Sequence, residues 1–159
     1  MMTDQIQRLA ALLTDAGYKV CTAESCTGGL IAKSFTDLAG SSSWFERGFV
    51  TYSNESKTEM LAVSASLIET YGAVSEAVAN AMAVGALKHS HADCAISVTG
   101  VAGPDGGSDE KPVGTVWIGV ATRTQVNTQK YCFDGNRESI RLATMQTAID
   151  NLLRLLSNG

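Results

Sequence analysis

The chain has no cluster of lysine or arginine, and its 159 residues carry a formal net charge of −4. It therefore lacks the basic stripe on which a nucleic-acid-binding surface depends, and no nucleic-acid partner is expected. No run reaches about 18 apolar residues, so no segment reads as a membrane span. Linkers, internal repeats and low-complexity tracts are also missing. A chain of 159 residues fits one domain with a sizeable core, and residues 1–159 are read as that domain. The polar start, Met1-Met2-Thr3-Asp4-Gln5, opens a helix and does not read as a signal peptide, so a cytoplasmic protein is expected. With 45% hydrophobic and 18% charged residues, the composition is globular and not disordered.

Metal chemistry has little to work with. The four cysteines are Cys21, Cys26, Cys94 and Cys132, and no Cys-x-x-Cys or other metal-ligand spacing occurs. Cys21, Cys94 and Cys132 fall in expected strands and read as buried free thiols. Cys26 is a candidate nucleophile without an evident histidine partner. His89 and His91 follow a helix and read as surface or capping residues. No metal and no cofactor is expected.

What is present is an alternation of helix and strand. Ile6, Leu9, Leu13 and Ala16 mark an amphipathic helix stopped by Gly17. A strand over 18–23, a helix over 28–38, a loop over 40–43 and a strand over 45–52 follow. Short helices are expected over 54–61 and 65–71, the second closed by Gly72. Ser75 caps a long Ala-rich helix to Lys88, suited to close packing on a sheet. Strands are expected over 94–98, 113–121 and 128–133. The last helix puts Leu142, Met145, Ile149, Leu152 and Leu156 on one face, as core or as a subunit interface. Five strands with helices between most of them predict a three-layer α/β/α sandwich. Short connections before the last two strands allow antiparallel pairing, so the sheet is expected to be mixed and mostly parallel.

Three segments carry candidate chemistry. In Thr22-Ala23-Glu24-Ser25-Cys26-Thr27-Gly28-Gly29 a strand meets a helix with a serine at the junction. The free N–H groups and dipole at a helix start favour an oxyanion or a phosphate there. A plain serine N-cap with a glycine turn is the competing reading. In Val50-Thr51-Tyr52-Ser53-Asn54-Glu55-Ser56-Lys57, Ser53 or Asn54 caps a helix and Lys57 falls near its first turn. A cation is disfavoured at that end, which biases the lysine toward the neutral form a general base requires. Its reference pKa of about 10.4 demands a further shift, and an exposed lysine is the competing reading. In Ser97-Val98-Thr99-Gly100-Val101-Ala102-Gly103-Pro104-Asp105-Gly106-Gly107 a strand breaks into a small-residue loop. Such a loop lets backbone approach a ligand, or simply connects two strands.

Taken together, these segments resemble the C-terminal domain of the CinA family, and within it the stand-alone nicotinamide-nucleotide amidases of PncC type. The matching residues are 23–29, 48–57, 99–107 with Lys111-Pro112-Val113-Gly114-Thr115-Val116, and Arg137-Glu138-Ser139-Ile140-Arg141. The likeness covers about Leu9 to Leu156. Ser56, Val101 and Asn136 stand where alanine, isoleucine and aspartate are expected.

The resemblance implies hydrolysis of the carboxamide of nicotinamide mononucleotide to nicotinate mononucleotide and ammonia. Ser25 is then the nucleophile and Lys57 its base. Tyr52 relays the proton or holds the lysine. Backbone N–H groups around Thr27 and Gly28 stabilise the tetrahedral oxyanion. Thr27, Gly28 and Gly29, with Thr99, Gly100, Ala102 and Gly103, are the expected substrate-binding residues. Arg137 and Arg141, four apart on one helix face, suit a dianionic phosphate. A homo-oligomer is expected, with a dimer favoured. The rivals are a non-catalytic nucleotide-binding module, since this domain type also occurs fused to another enzyme domain, and a Ser/Lys amidase of another substrate.

Overall fold

The computed structural model describes residues 2–158, so Met1 and Gly159 lie outside the described residues. The elements, in order, are α1 (Met2–Ala16), β1 (Val20–Glu24), α2 (Leu30–Thr36), β2 (Phe45–Val50), α3 (Asn54–Leu61), α4 (Ala65–Tyr71), α5 (Glu76–Lys88), β3 (Cys94–Gly100), β4 (Thr115–Thr122), β5 (Val126–Cys132) and α6 (Arg137–Asn158). Local chemistry explains most boundaries. Ser53, Ser64 and Ser75 cap α3, α4 and α5 by accepting the N–H of Ser56, Leu67 and Val78. Asn136 caps α6, its Oδ1 accepting the Ser139 N–H at 2.9 Å, so the asparagine serves where an aspartate was expected.

The strands form one sheet in the order β2-β1-β3-β4-β5. β1 pairs parallel with β2 and β3, whereas β4 pairs antiparallel with β3 and β5. β4 alone runs against the rest, giving the mixed, mostly parallel sheet that the sequence predicts. Strand alternation sorts two unlike faces. Val20, Ile96, Val98, Val116, Ile118 and Val120 pack with α1, α2 and α6. Ala23, Ala95 and Ala121 pack with α3, α4 and α5. The small-residue face lets the Ala-rich α5 approach closely, and Ser97 Oγ donates to Ala79 O at 2.7 Å across that contact.

Several expectations shift, among them these. α2 starts at Leu30, not Gly28, because Gly28 and Gly29 take φ values of +61° and +102° that no α-helix accommodates. The loop after Gly40 contains a 3₁₀ turn, Ser41–Ser43. Cys132 is exposed, because β5 is an edge strand open to solvent. Leu142 is exposed too, since Ile140, Thr144 and Met145 form the buried face at that end of α6.

β2 and β3 flank β1 on opposite sides, so the chain reverses its direction of travel across the sheet at β1. Ligand crevices in open α/β sheets lie beyond the strand ends at such a reversal. Glu24 sits level with Val50 on one side and Val98 on the other. The residues that follow β1, β2 and β3 therefore emerge side by side.

Candidate active site

Ser25 is the first residue past β1 and is 8% exposed. Its N–H donates to Val98 O at 3.1 Å, which extends the sheet ladder by one step and fixes the serine backbone. The chain then turns sharply, with the Gly28 N–H donating to Ser25 O at 3.0 Å. Gly28 is thereby occupied, so it is not the oxyanion donor expected of it. The start of α2 is occupied as well. The buried Glu24 carboxylate accepts the Ile31 N–H at 2.8 Å, the Ala32 N–H at 2.9 Å and the Thr27 hydroxyl at 2.7 Å. The expected free helix terminus is thus filled by a side chain of the same turn. The Cys26 N–H has no acceptor among the described residues beyond its own sulfur.

Lys57 is buried, 1% exposed, against the ordinary expectation for a lysine on a short helix. Its Nζ lies 3.1 Å from Ser25 Oγ, 2.9 Å from Thr51 O and 3.5 Å from Tyr52 O. Burial lowers its pKa below the ordinary lysine value of 10.5. The largest cause is loss of water, a contribution separate from the helix dipole invoked from sequence. Cys26 is poorly suited to replace Ser25. Burial pushes its thiol up to about 12, so it holds its proton at neutral pH.

The pair opens into a cavity of about 270 Å³ bounded by Tyr52, Asn54, Val74, the 99–103 loop, Asp105 and Arg137. A larger hollow of about 590 Å³ lies at the opposite end of the sheet, beside Leu12, Tyr18, Asp93 and Arg123. It contains no nucleophile and base in contact. Among the described residues no group of His, Cys, Asp or Glu could hold a metal ion, and no helix is long and apolar enough to cross a membrane.

The model of the CinA C-terminal domain matches residues 2–156. The chain belongs to the CinA C-terminal domain family. It is 56% identical over 147 residues to a nicotinamide-nucleotide amidohydrolase PncC of Enterobacter agglomerans, covering 92% of this chain and 90% of that protein. It is 52% identical over 149 residues to a CinA-like protein of Citrifermentans bemidjiense, covering 94% of this chain and 36% of that protein. A crystal structure of a competence-damaged protein (CinA) superfamily protein from Klebsiella pneumoniae superposes with a TM-score of 0.96 at 36% identity, covering 100% and 99% of the two chains.

Within this CinA domain the residues singled out by sequence divide into two groups. Ser25, Tyr52, Lys57, Thr99, Gly100, Ala102, Gly103 and Arg137 all border the cavity. Thr27, Gly28, Gly29 and Arg141 do not. Thr27 is fully buried, and Arg141 donates to its carbonyl at 2.7 Å. Tyr52 meets Lys57 through its carbonyl, whereas its hydroxyl accepts from Arg137 at 3.0 Å. A proton relay through the Tyr52 ring is therefore not formed in this conformation. Arg137 also donates to Gly103 O at 2.7 Å, tying α6 to the loop. Thr99 contributes backbone, since its hydroxyl is spent on Ala73 O. Sequence reading missed Asn54, Ala73, Val74, Asp105 and Gly106 on the cavity wall. Asp105 and Gly106 lay in a quoted motif. Ala73 and Val74 carry no chemical signal of their own.

Proposed function

We propose that this chain hydrolyses the carboxamide of nicotinamide mononucleotide to nicotinate mononucleotide and ammonia, with Ser25 as nucleophile and Lys57 as base. The supporting observation is the buried contact of 3.1 Å between Lys57 Nζ and Ser25 Oγ, in a chain so similar to relatives named for that substrate class. A neutral lysine has two N–H bonds and one lone pair. The carbonyls of Thr51 and Tyr52 match the two donors, and the Ser25 hydroxyl matches the lone pair. Ser25 Oγ attacks the carboxamide carbon and its proton passes to Lys57. The same proton returns to the departing nitrogen, which leaves as ammonia. Water then attacks the acyl-serine ester, with Lys57 again as base, and frees the carboxylate. The Cys26 N–H is a candidate donor to the oxyanion. Arg137 is the cation on the cavity wall suited to the 5′-phosphate. A homo-oligomer, with a dimer favoured, and a cytoplasmic place of action belong to the same proposal.

Ammonia release from the mononucleotide tests the reading. Ser25→Ala should reduce it by about a thousandfold or more with the fold intact by circular dichroism. Near-normal release would remove Ser25 as nucleophile. No release from the wild type would favour a nucleotide-binding module, the role open to a domain spanning 36% of a longer relative.

A further inference from the structure

Thr27 is held from two sides by residues that touch no part of the cavity. Its hydroxyl donates to the Glu24 carboxylate at 2.7 Å, and its carbonyl accepts from Arg141 Nη2 at 2.7 Å. The same carbonyl accepts the Leu30 N–H at 3.1 Å. Glu24 is 1% exposed and Thr27 is fully buried, so their bond lies away from competing water, while the Arg141 bond is part-buried. Arg141 also lies beside the turn itself: a Cβ at Gly28 would come within 3.2 Å of its Nη2. Glu24 precedes Ser25 and Thr27 follows it by two residues. The serine thus sits on a short arch with charged groups at both feet. Glu24 anchors the arch to the start of α2, and Arg141 anchors it to α6.

We propose that Glu24 and Arg141 are positioning residues that clamp the Ser25 turn through Thr27. The inference rests on Ser25 as nucleophile. It assigns Arg141 to the turn, not to the substrate. Without the clamp the arch relaxes, the 3.1 Å contact between Ser25 Oγ and Lys57 Nζ is lost, and attack slows while substrate binding persists. Displacement of a reacting group by about 1 Å costs on the order of a hundredfold in rate.

The test compares Arg141→Gln, Arg141→Lys and Glu24→Gln with wild type. It measures kcat and KM for the mononucleotide, melting temperature, and the rate of Ser25 labelling by a fluorophosphonate. Arg141→Gln should lower kcat by about 10- to 100-fold with KM little changed and the melting temperature kept. Arg141→Lys, which keeps a charged donor, should recover part of the loss. Glu24→Gln presents an amide N–H₂ to a site that already supplies three donors, and should lower kcat in the same way. Labelling should slow in step with kcat. A raised KM at unchanged kcat in Arg141→Gln would make Arg141 a substrate ligand and overturn the clamp. So would labelling at the wild-type rate in that variant. Should Glu24→Gln not fold, the two arginine variants decide. Labelling needs no mononucleotide, so the clamp is tested even if wild type releases no ammonia. A wild-type Ser25 that resists the reagent would also overturn it, because the clamp presupposes a poised serine.

Discussion

At the scale of single residues, Lys57 is the side chain whose setting differs most from its usual one. It is enclosed, touches two carbonyls and a hydroxyl, and has a pKa lowered by burial. The working form of a base is the neutral amine. A lowered pKa enlarges the neutral fraction at any given pH, so kcat/KM should rise with pH through an apparent pKa below 10.5 and level off above it. The value belongs to the Ser25–Lys57 pair. Lys57→Arg should be as inactive as Lys57→Ala, because a guanidinium keeps its proton. An arginine variant with substantial turnover would leave Lys57 an electrostatic role only. Arg137 supports a separate expectation. If it grips the phosphate, Arg137→Ala should cut the preference for mononucleotide over riboside by about 10- to 100-fold, the worth of a charge-assisted hydrogen bond. Turnover of the riboside should change little. Ratios of kcat/KM for the two substrates decide it, and an unchanged ratio would move the phosphate to the 99–103 loop. Arg137 and Arg141 were legible as one helix face, but not as two jobs. Residues four apart stand about 5–6 Å from each other, enough for one to border the cavity and the other to reach behind the turn.

At the scale of elements, α3 carries Lys57, so whatever seats α3 also sets the contact between Lys57 and Ser25. Gly85 of α5 is the contact point. A Cβ there would collide with the carbonyl oxygen of Leu61, the last residue of α3, and lie 3.1 Å from the Leu61 Cβ. Gly85→Ala should therefore destabilise the protein by about 1–3 kcal/mol despite alanine's better helix propensity. For a chain of this size each 1 kcal/mol lowers Tm by about 2–4 °C. Activity should fall as well, because α3 must shift. A variant with wild-type Tm would show that α5 yields without cost. Helix starts were legible where serine caps them, as at Ser53 and Ser75. The start of α2 was not. Gly28-Gly29 reads as a helix opening only until their backbone angles are known, and nothing in the local pattern says that Glu24 folds back to fill the terminus. The burial of Lys57 was equally hidden, since it depends on how the end of β2 and α3 tuck the lysine against the end of β1.

At the scale of the whole molecule, the contact between Ser25 and Lys57 joins the two helical layers. Ser25 leads into α2, whose Ile31 and Phe35 belong to one core, while Lys57 lies on α3, whose Leu61 belongs to the other. Both layers must be docked on the sheet before the contact of 3.1 Å exists. Loss of activity and loss of near-ultraviolet circular dichroism in urea should therefore coincide in one transition. Activity that disappears well before the spectroscopic change would mean that one layer loosens alone. The strand order has a consequence for synthesis. β1 is buried along its whole length between β2 and β3, yet β3 begins at Cys94, seventy residues after Glu24 (24 to 94). At about 5–20 residues per second a ribosome needs roughly 4–14 s to cover that distance. Through that interval one side of the strand stands without its neighbour, a ready template for wrong partners. A nascent chain is thus exposed to aggregation after Ser25 and Lys57 are both made, and before the strand that completes the wall of their cavity has emerged.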